Sequence, residues 1–448
     1  MGVRQAAPSA RRIGISFLIS SVFPCNCLVY QLTRLPNGLR LVTATLPQMA
    51  SVSVGVWVGV GGRYEPAPLN GVSHFIEHML FKGTRCRSAA EISRAVEGLG
   101  GQLNAFTDEE YTCFHARAHH AHLPVLLDVL ADMLLESVFA PGEITKERTV
   151  IKEELAMYLD QPHTHVQELL NELMWPDHPL GRPLTGTPRS LDRIGRRQML
   201  DFLGANYVAA NTVLVVAGPV EHAGVLKAVK PLARRFRSGA APVFPPVVKR
   251  QAAPALRLLP KRAEQTQLAL GIRACSRHDR GRYPLRLLNV ILGENMSSRL
   301  FQVVREDQGL AYSIHSGVTH FDDTGALVVS AGVETRTLER SLKLVMRELR
   351  RLTERAPTKA EFQRARDYAI GQLELSLEST ENHMMWIGEQ VLAYGRVRPL
   401  TEVREMMGRV RLDELPLLAR EHFRPERMSL ALIGPLKHGG RFQRLLAA

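Results

Sequence analysis

Cysteine is scarce in this 448-residue sequence, and its few copies are poorly placed for cross-linking. The five cysteines stand at positions 25, 27, 86, 113 and 275, and none of them forms a Cys-x-x-Cys pair. An odd, sparse set of this kind argues against a disulfide framework and favours a reducing compartment. We therefore expect a cytoplasmic protein that folds around apolar cores.

The sequence also lacks long apolar runs, and its beginning lacks acidic residues. No aspartate or glutamate precedes Glu65, and three arginines precede the short apolar run 13–23. That run is too short for a transmembrane helix and no later stretch is longer, so we predict no integral membrane span. Residues 1–29 are either a signal-like or organelle-transit segment or an overlong start, and we place them outside the fold. The first reading leaves an exported or organellar location as the alternative.

Features of a nucleic-acid-binding surface are missing as well. The net charge of +13 comes from 57 basic and 44 acidic residues, but the basic clusters are short and carry no interleaved aromatic residues. We therefore predict no nucleic-acid partner. An apolar content of 45% and a charged content of 23% are ordinary for a soluble globular protein. The length predicts at least two domains.

The most informative stretch that is present is His74-Phe75-Ile76-Glu77-His78. Histidines four residues apart lie on one face of a helix, so His74 and His78 can reach one Zn²⁺, and Glu77 beside them can take a proton from water. We predict that Asn70 caps this helix and that it ends near Gly83. A core helix with satisfied histidines is the alternative interpretation.

A zinc site with an open position for water needs a third protein ligand. Glu147 and Glu154 are seven residues apart, which puts them on one face of a helix, whereas Glu153 is rotated by about 100° from Glu154. We predict Glu154 as the third ligand and Glu147 as a nearby carboxylate that orients the site. Periodicity alone leaves open that this helix is a solvated face with Arg148 and Lys152 as partners.

Several separated segments together resemble the pitrilysin/insulysin class of inverted-motif zinc metallopeptidases. They are the His-x-x-Glu-His motif, the Gly100–Thr107 stretch GGQLNAFT, the Glu147–Glu154 helix and the His178–Pro183 stretch HPLGRP. The short branch typified by mitochondrial processing peptidase and its bacterial relatives is the most similar. The resemblance runs in order from about Tyr30 nearly to the C-terminus.

The resemblance implies a role for each matching position in the first half. His74, His78 and Glu154 would bind Zn²⁺, Glu77 would be the general base and Glu147 the supporting carboxylate. Residues 104–107 would form an edge strand beside the active site, to which an extended substrate adds through main-chain hydrogen bonds. The substrate-binding residues would be Asn104, Ala105 and Phe106.

In the second half, the resemblance implies that an arginine and a tyrosine seven residues apart project towards the substrate. Arg305 and Tyr312 have that spacing. Tyr312 would donate a hydrogen bond to the developing oxyanion, and Arg305 would hold a substrate carbonyl. The alternative is a structural arginine and a half-buried tyrosine.

The chain divides into a catalytic domain at 30–235, a proline-rich linker at 236–255 and a related second domain at 256–448 without a zinc motif. The second half repeats the plan of the first: the segment 285–292 takes the place of the zinc-motif helix, and an apolar strand at 428–434 closes the half as 212–218 closes the first. We predict an α+β fold in which each domain is a mainly antiparallel sheet packed against helices.

The sequence therefore predicts a zinc-dependent endopeptidase that hydrolyses peptides, unfolded polypeptides or presequence-like segments. The alternative is a non-catalytic partner or scaffold subunit of the same fold. The resemblance also implies a dimer, formed either with a second copy or with a related subunit.

Overall fold

The computed structural model describes residues 30–248 and 251–447, so the predicted N-terminal extension 1–29 lies outside the described residues. Two β-sheets, each packed against helices, build the described part of the chain. This architecture confirms the predicted α+β fold with two domains. Within these ranges no helix combines the length and the apolar character needed to cross a bilayer. The domain boundaries themselves stay predictions.

The first sheet has six strands in the order β1-β2-β6-β3-β5-β4. They are β1 Tyr30–Arg34, β2 Arg40–Thr45, β3 Ser51–Val58, β4 Gln102–Thr107, β5 Thr112–His119 and β6 Thr212–Gly218. The helices of this half are α1 Val72–Leu80, α2 Ala89–Glu97, α3 Leu123–Glu136, α4 Pro141–Asp160, α5 Pro162–Met174, α6 Pro188–Arg193, α7 Arg196–Asn206 and α8 His222–Ala233. The pairing is antiparallel except between β2 and β6.

The second sheet has five strands in the order β7-β11-β8-β10-β9. They are β7 Ala255–Pro260, β8 Gln265–Ala274, β9 Ala311–His320, β10 Gly325–Glu334 and β11 Met428–Gly434. The helices are α9 Arg282–Asn289, α10 Leu338–Glu354, α11 Lys359–Ser376, α12 Thr380–Tyr394, α13 Leu400–Gly408, α14 Glu414–His422 and α15 Gly440–Ala447, with π-helical turns at Val290–Glu294 and Phe301–Glu306. Again a single pair, β7 and β11, is parallel.

The two halves repeat one topology. In each half the last strand of the sheet pairs in parallel with an early strand: β6 pairs with β2, and β11 pairs with β7. Both closing strands are buried throughout and have the bounds predicted from their apolar runs. Helix α9 takes the place of α1, but it begins at Arg282, three residues before the predicted start, and continues into a π-helical turn.

Each half contributes one helix to the sheet of the other half. Helix α12 from the second half packs on β3 and β6, where Met384 lies against the buried Trp57 ring. Helix α5 from the first half packs on β8 and β11, where Met174 lies against Gly271. The halves therefore cannot separate without exposing an apolar face on both sheets.

Gly388 permits the close approach of α12 to the first sheet. A Cβ atom at this position would lie 2.1 Å from a carbon of the Trp57 ring, which is fully buried and cannot move aside. We expect Gly388→Ala to overpack this contact and to lower the free energy of unfolding by about 1–3 kcal/mol, measured by urea denaturation.

Gly371, inside α11, provides the matched control because a Cβ atom there meets nothing within 4 Å. Gly371→Ala should leave the stability unchanged or raise it by about 0.5–1 kcal/mol, since alanine is the better helix former. A Gly388→Ala variant as stable as the native chain would contradict the proposed packing.

Candidate metal centre

Helices α1 and α4 pack against each other and present the predicted site residues from two sides. The apolar face of α1 is buried in the core of the first half through Val72, Phe75, Ile76, Met79 and Leu80. This burial turns the two histidines and the glutamate of the motif towards α4 and the edge strand β4. Helix α4 is itself anchored by its buried residues Ile144, Ile151 and Leu155.

The cap of α1 is Glu65, and the prediction that Asn70 caps this helix is wrong. The Glu65 carboxylate accepts hydrogen bonds from the backbone N–H groups of Gly71 at 2.7 Å and Ser73 at 2.8 Å. Asn70 instead donates its side-chain amide to Glu65 and to the Pro183 carbonyl. Burial raises the pKa of Glu65 to about 7, against the opposing effect of these hydrogen bonds. A carboxyl group at a helix N-terminus also suits the helix dipole.

His74, His78 and Glu154 converge as the sequence predicts. The Nε2 atoms of His74 and His78 lie 3.7 Å and 3.8 Å from one Glu154 oxygen. Ligand atoms of the three residues all lie within 4.8 Å of one another, and among residues 30–248 and 251–447 this is the one such group of three or more potential ligands. Two ligands of a tetrahedral zinc ion lie about 3.4 Å apart, so the arrangement fits Zn²⁺ with little adjustment.

The charge state of the group also suits a cation. Burial, aided by the neighbouring His78, lowers the pKa of His74 to about 3, so this imidazole is neutral at physiological pH and keeps a lone pair for coordination. Tyr158 donates a hydrogen bond of 2.8 Å to the other Glu154 oxygen. This bond leaves one Glu154 oxygen facing the histidines, and it raises the pKa of Tyr158 to about 12.

Glu147 lies behind His78, on the side away from Glu154. One Glu147 oxygen is 3.6 Å from His78 Nδ1, and the other forms an ion pair of 2.7 Å with Lys82 Nζ. His78 therefore has a carboxylate near each of its ring nitrogens. A carboxylate at this ring nitrogen can fix the orientation of the imidazole. The supporting role of Glu147 stays a prediction.

Glu77 lies between α1 and β4. Thr107, the last residue of β4, donates a 2.6 Å hydrogen bond to a Glu77 oxygen. Burial raises the pKa of Glu77, and Glu154 acts in the same direction, whereas Thr107 and His78 oppose the shift. The carboxyl group is thus held in one orientation and made more basic than an exposed glutamate, as a general base requires.

The predicted substrate strand lies at the edge of the first sheet, since within residues 30–248 and 251–447 β4 pairs with β5 alone. Asn104 is exposed, and its side-chain oxygen accepts a hydrogen bond from Ala105 N. Phe106 packs edge-on against Trp57 with 5.7 Å between ring centroids. Its ring is occupied in packing, so the free main chain of β4 is the feature that suits substrate binding.

Arg305 and Tyr312 lie close to each other, with the Arg305 guanidinium 5.6 Å from the Tyr312 ring. Tyr312 is 79% exposed, so the alternative of a half-buried tyrosine is wrong. Neither residue lines the pocket around His74 and Glu154. Their contact with substrate stays a prediction.

A cleft runs from the candidate metal centre to the second sheet. The pocket at the centre has a volume of about 240 Å³ and includes His74, Thr107, Glu154 and Tyr158 in its wall. A larger cavity of about 870 Å³ lies between the two halves. The two spaces share the lining residues Glu109, Thr164 and Asn171, so they adjoin each other.

Comparison with protein-family models assigns the chain that carries this site to a family. The model described as Insulinase (Peptidase family M16) matches residues 40–188, and the model described as Peptidase M16 inactive domain matches residues 193–368. An uncharacterized zinc protease of Mycobacterium tuberculosis is 37% identical over 421 residues, which are 93% of this chain and 95% of that protein. The chain belongs to peptidase family M16. The resemblance inferred from the motifs is thereby confirmed.

Other relatives of this M16 chain agree. An uncharacterized zinc protease of Bacillus subtilis is 36% identical over 400 residues, covering 89% of this chain and 97% of the relative. A solved protease structure from Helicobacter pylori has a TM-score of 0.85 at 21% identity and covers 91% of this chain and all of that chain. A solved peptidase M16 inactive domain from Pseudomonas fluorescens has a TM-score of 0.84 at 18% identity, with coverage of 91% and 98%. The structures support the fold, and the named zinc proteases support a metallopeptidase.

Sequence reasoning missed three supporting residues: Glu65, Lys82 and Tyr158. Two of them carried a usable signal, because Lys82 follows His78 and Tyr158 follows Glu154 at helical i,i+4 spacing. Glu65 had none, because it reaches the helix from the preceding loop.

Removal of the Glu65 cap should loosen the helix that carries the histidines. In Glu65→Ala the buried N–H groups of Gly71 and Ser73 lose their acceptors, so we expect the free energy of unfolding to fall by about 1–3 kcal/mol in urea denaturation. The control is Glu97→Ala at an exposed position of α2, which should stay within about 0.5 kcal/mol of the native chain. Equal stability of both variants would show that Glu65 does not cap α1.

Proposed function

We propose that this M16 chain is a zinc-dependent endopeptidase that hydrolyses peptides and unfolded or presequence-like segments of proteins. The observation that carries the proposal is the convergence of His74, His78 and Glu154, with Glu77 beside them, at the end of a cleft next to an open sheet edge. We propose that His74 and His78 hold the zinc ion through Nε2 and that Glu154 holds it through a carboxylate oxygen.

When held by these residues, a zinc ion would supply a Lewis acid that lowers the pKa of water and polarises a peptide carbonyl. The protein residues then move the proton. Glu77 accepts it from the attacking water as the new C–O bond forms, and later delivers it to the amine nitrogen as the C–N bond breaks. Burial raises the pKa of Glu77, which suits a group that must act first as a base and then as an acid.

Thr107 connects this chemistry to substrate binding. It ends the edge strand β4 and donates its hydroxyl hydrogen to Glu77, so the strand and the general base keep a fixed relation. An extended peptide that pairs with β4 through its main chain would therefore run past Glu77. A folded domain cannot add a strand in this way, which favours peptides and unfolded segments as substrates.

Residues of the second half complete the proposal. We propose that Tyr312, whose side chain is largely exposed, donates its hydroxyl hydrogen to the oxyanion and that Arg305 holds a substrate carbonyl. The cavity of about 870 Å³ between the halves offers room for several substrate side chains. Dimerisation with a second copy or a related subunit, and a cytoplasmic location, stay predictions from the sequence.

The role of Glu77 is tested by Glu77→Gln, which keeps the shape of the side chain and removes its basicity. We expect this variant to retain near-stoichiometric zinc, measured by elemental analysis, and to lose about 10²–10⁴-fold in kcat on a quenched fluorescent peptide. Undiminished turnover would eliminate Glu77 as the base. A native chain that binds no zinc and cleaves no peptide would favour the scaffold alternative.

The role of Glu154 is tested with its neighbour as the control. Glu154→Gln replaces a carboxylate that faces both histidines, so we expect zinc affinity to fall by at least about tenfold and activity to return with excess zinc. Glu153→Gln lies on the exposed face of the same helix and should bind zinc like the native chain. Equal zinc affinity in the two variants would sink the assignment of Glu154.

A further inference from the structure

A separate pocket lies in the second half, among α9, α11, α12 and α13. Its volume is about 470 Å³, within the range of roughly 300–1,000 Å³ that small-molecule sites occupy. It shares no lining residue with the pocket at the candidate metal centre. Part of its wall is apolar, through Leu373, Val403 and Met407, and Trp386 adds an aromatic surface.

The charged side chains of this wall are all cationic. Arg282, Arg286 and Arg398 line the pocket, and none of the described residues in its lining is acidic. Each of the three arginines is partly buried, and burial lowers the pKa of Arg286. Buried guanidinium groups on an apolar wall are a suitable environment for carboxylate and phosphate groups.

Nearby carboxylates compensate this positive charge only in part. Glu294 is bound to Arg286, and Glu402 uses both oxygens on Arg396, at 2.6 Å and 2.7 Å, while it lies 3.9 Å from Arg398. In the described part of the chain, the hydrogen bonds of Arg282 all go to neutral oxygens, namely the Arg277 carbonyl and the hydroxyls of Tyr283 and Tyr394. The four positive charges of these arginines are therefore balanced by the two negative charges of Glu294 and Glu402 only in part.

Among the described residues, three polar atoms of the side chains that line the pocket are buried without a hydrogen-bond partner, although Arg398 Nε lies 3.9 Å from Glu402. They are the N–H groups at Trp386 Nε1 and Arg398 Nε and the side-chain oxygen of Gln390. These atoms are also shielded from water, so a ligand in the pocket would contact them only after a small side-chain movement. Because a buried polar group that stays unpaired costs about 1–3 kcal/mol, such a contact would recover part of that cost. The complementary ligand has two acceptor oxygens for the donors and one N–H or O–H group for Gln390.

We propose that this pocket binds a small organic anion, a carboxylate or phosphate ester on an apolar or aromatic body. The positive charge and the two donors select the anionic group, and the apolar wall with Trp386 selects the organic body. The proposal does not rest on the peptidase function. The pocket also lies across α12 from the first sheet, because the same helix carries Met384 against Trp57 and Glu389 at 3.3 Å from Tyr111. A bound anion should therefore raise the melting temperature of the whole chain.

The test is isothermal titration calorimetry on the full chain with adenosine 5′-monophosphate, octanoate and inorganic phosphate, at an ionic strength held constant with sodium chloride. We expect one site per chain for adenosine 5′-monophosphate or octanoate, with a Kd below about 1 mM and an affinity above that of inorganic phosphate. The two organic probes distinguish an aromatic phosphate ester from an apolar carboxylate as the preferred ligand.

Two variants remove single features of the pocket. Arg398→Gln removes a charge, and Trp386→Phe removes the Nε1–H donor but keeps an aromatic ring, so each should weaken binding at least tenfold. Arg336→Gln, at a surface arginine that is 82% exposed and paired with Glu334, is the control and should bind like the native chain. Circular dichroism checks that all three variants are folded.

Two results would overturn the proposal. One is the absence of saturable binding for both organic anions. The other is binding that folded Arg398→Gln and folded Trp386→Phe leave within twofold of the native affinity, since the anion would then lie elsewhere.

Discussion

The packing of α1 against α4 is the constraint on which the candidate metal centre depends. One helix face can present two imidazoles, but a third ligand opposite them must come from another element. Helix α4 brings Glu154 to the Nε2 side of His78 and Glu147 to the Nδ1 side. Glu65 fixes the beginning of α1, and Lys82, just beyond its end, is paired with Glu147. The ligand geometry is therefore held at both ends of one short helix.

The exchange of helices between the halves extends this constraint to the whole chain. Helix α4 ends at Asp160 and α5 begins at Pro162, so the helix that carries Glu154 leads directly into the helix that packs on the second sheet. Helix α12 of the second half packs on the first sheet against Trp57, and the Trp57 ring lies beside Phe106 of the edge strand. The cleft between the halves thus has walls that belong to both sheets, although one half alone carries the candidate metal ligands.

Features that depend on local residue spacing could be predicted from the sequence. Contacts between residues far apart in the chain could not. The i,i+4 pair of His74 and His78 and the apolar closing strands were readable because helical and strand periodicity are local. Glu154 was predicted as the third ligand from its spacing to Glu147 together with the resemblance, and the structure brings it to the two histidines. Glu65 was missed, because its carboxylate caps α1 from a preceding loop. The exchange of α5 and α12 was missed as well, because an apolar face shows that a helix is buried but not which sheet covers it.

The central claim is that His74, His78 and Glu154 bind a single cation. Zinc K-edge X-ray absorption on protein loaded with one equivalent of Zn²⁺ measures the ligand set directly. The account predicts two imidazole ligands with the remaining positions filled by oxygen at about 2.0–2.2 Å. A sulfur ligand at about 2.3 Å, or a site with three or more imidazoles, would contradict it.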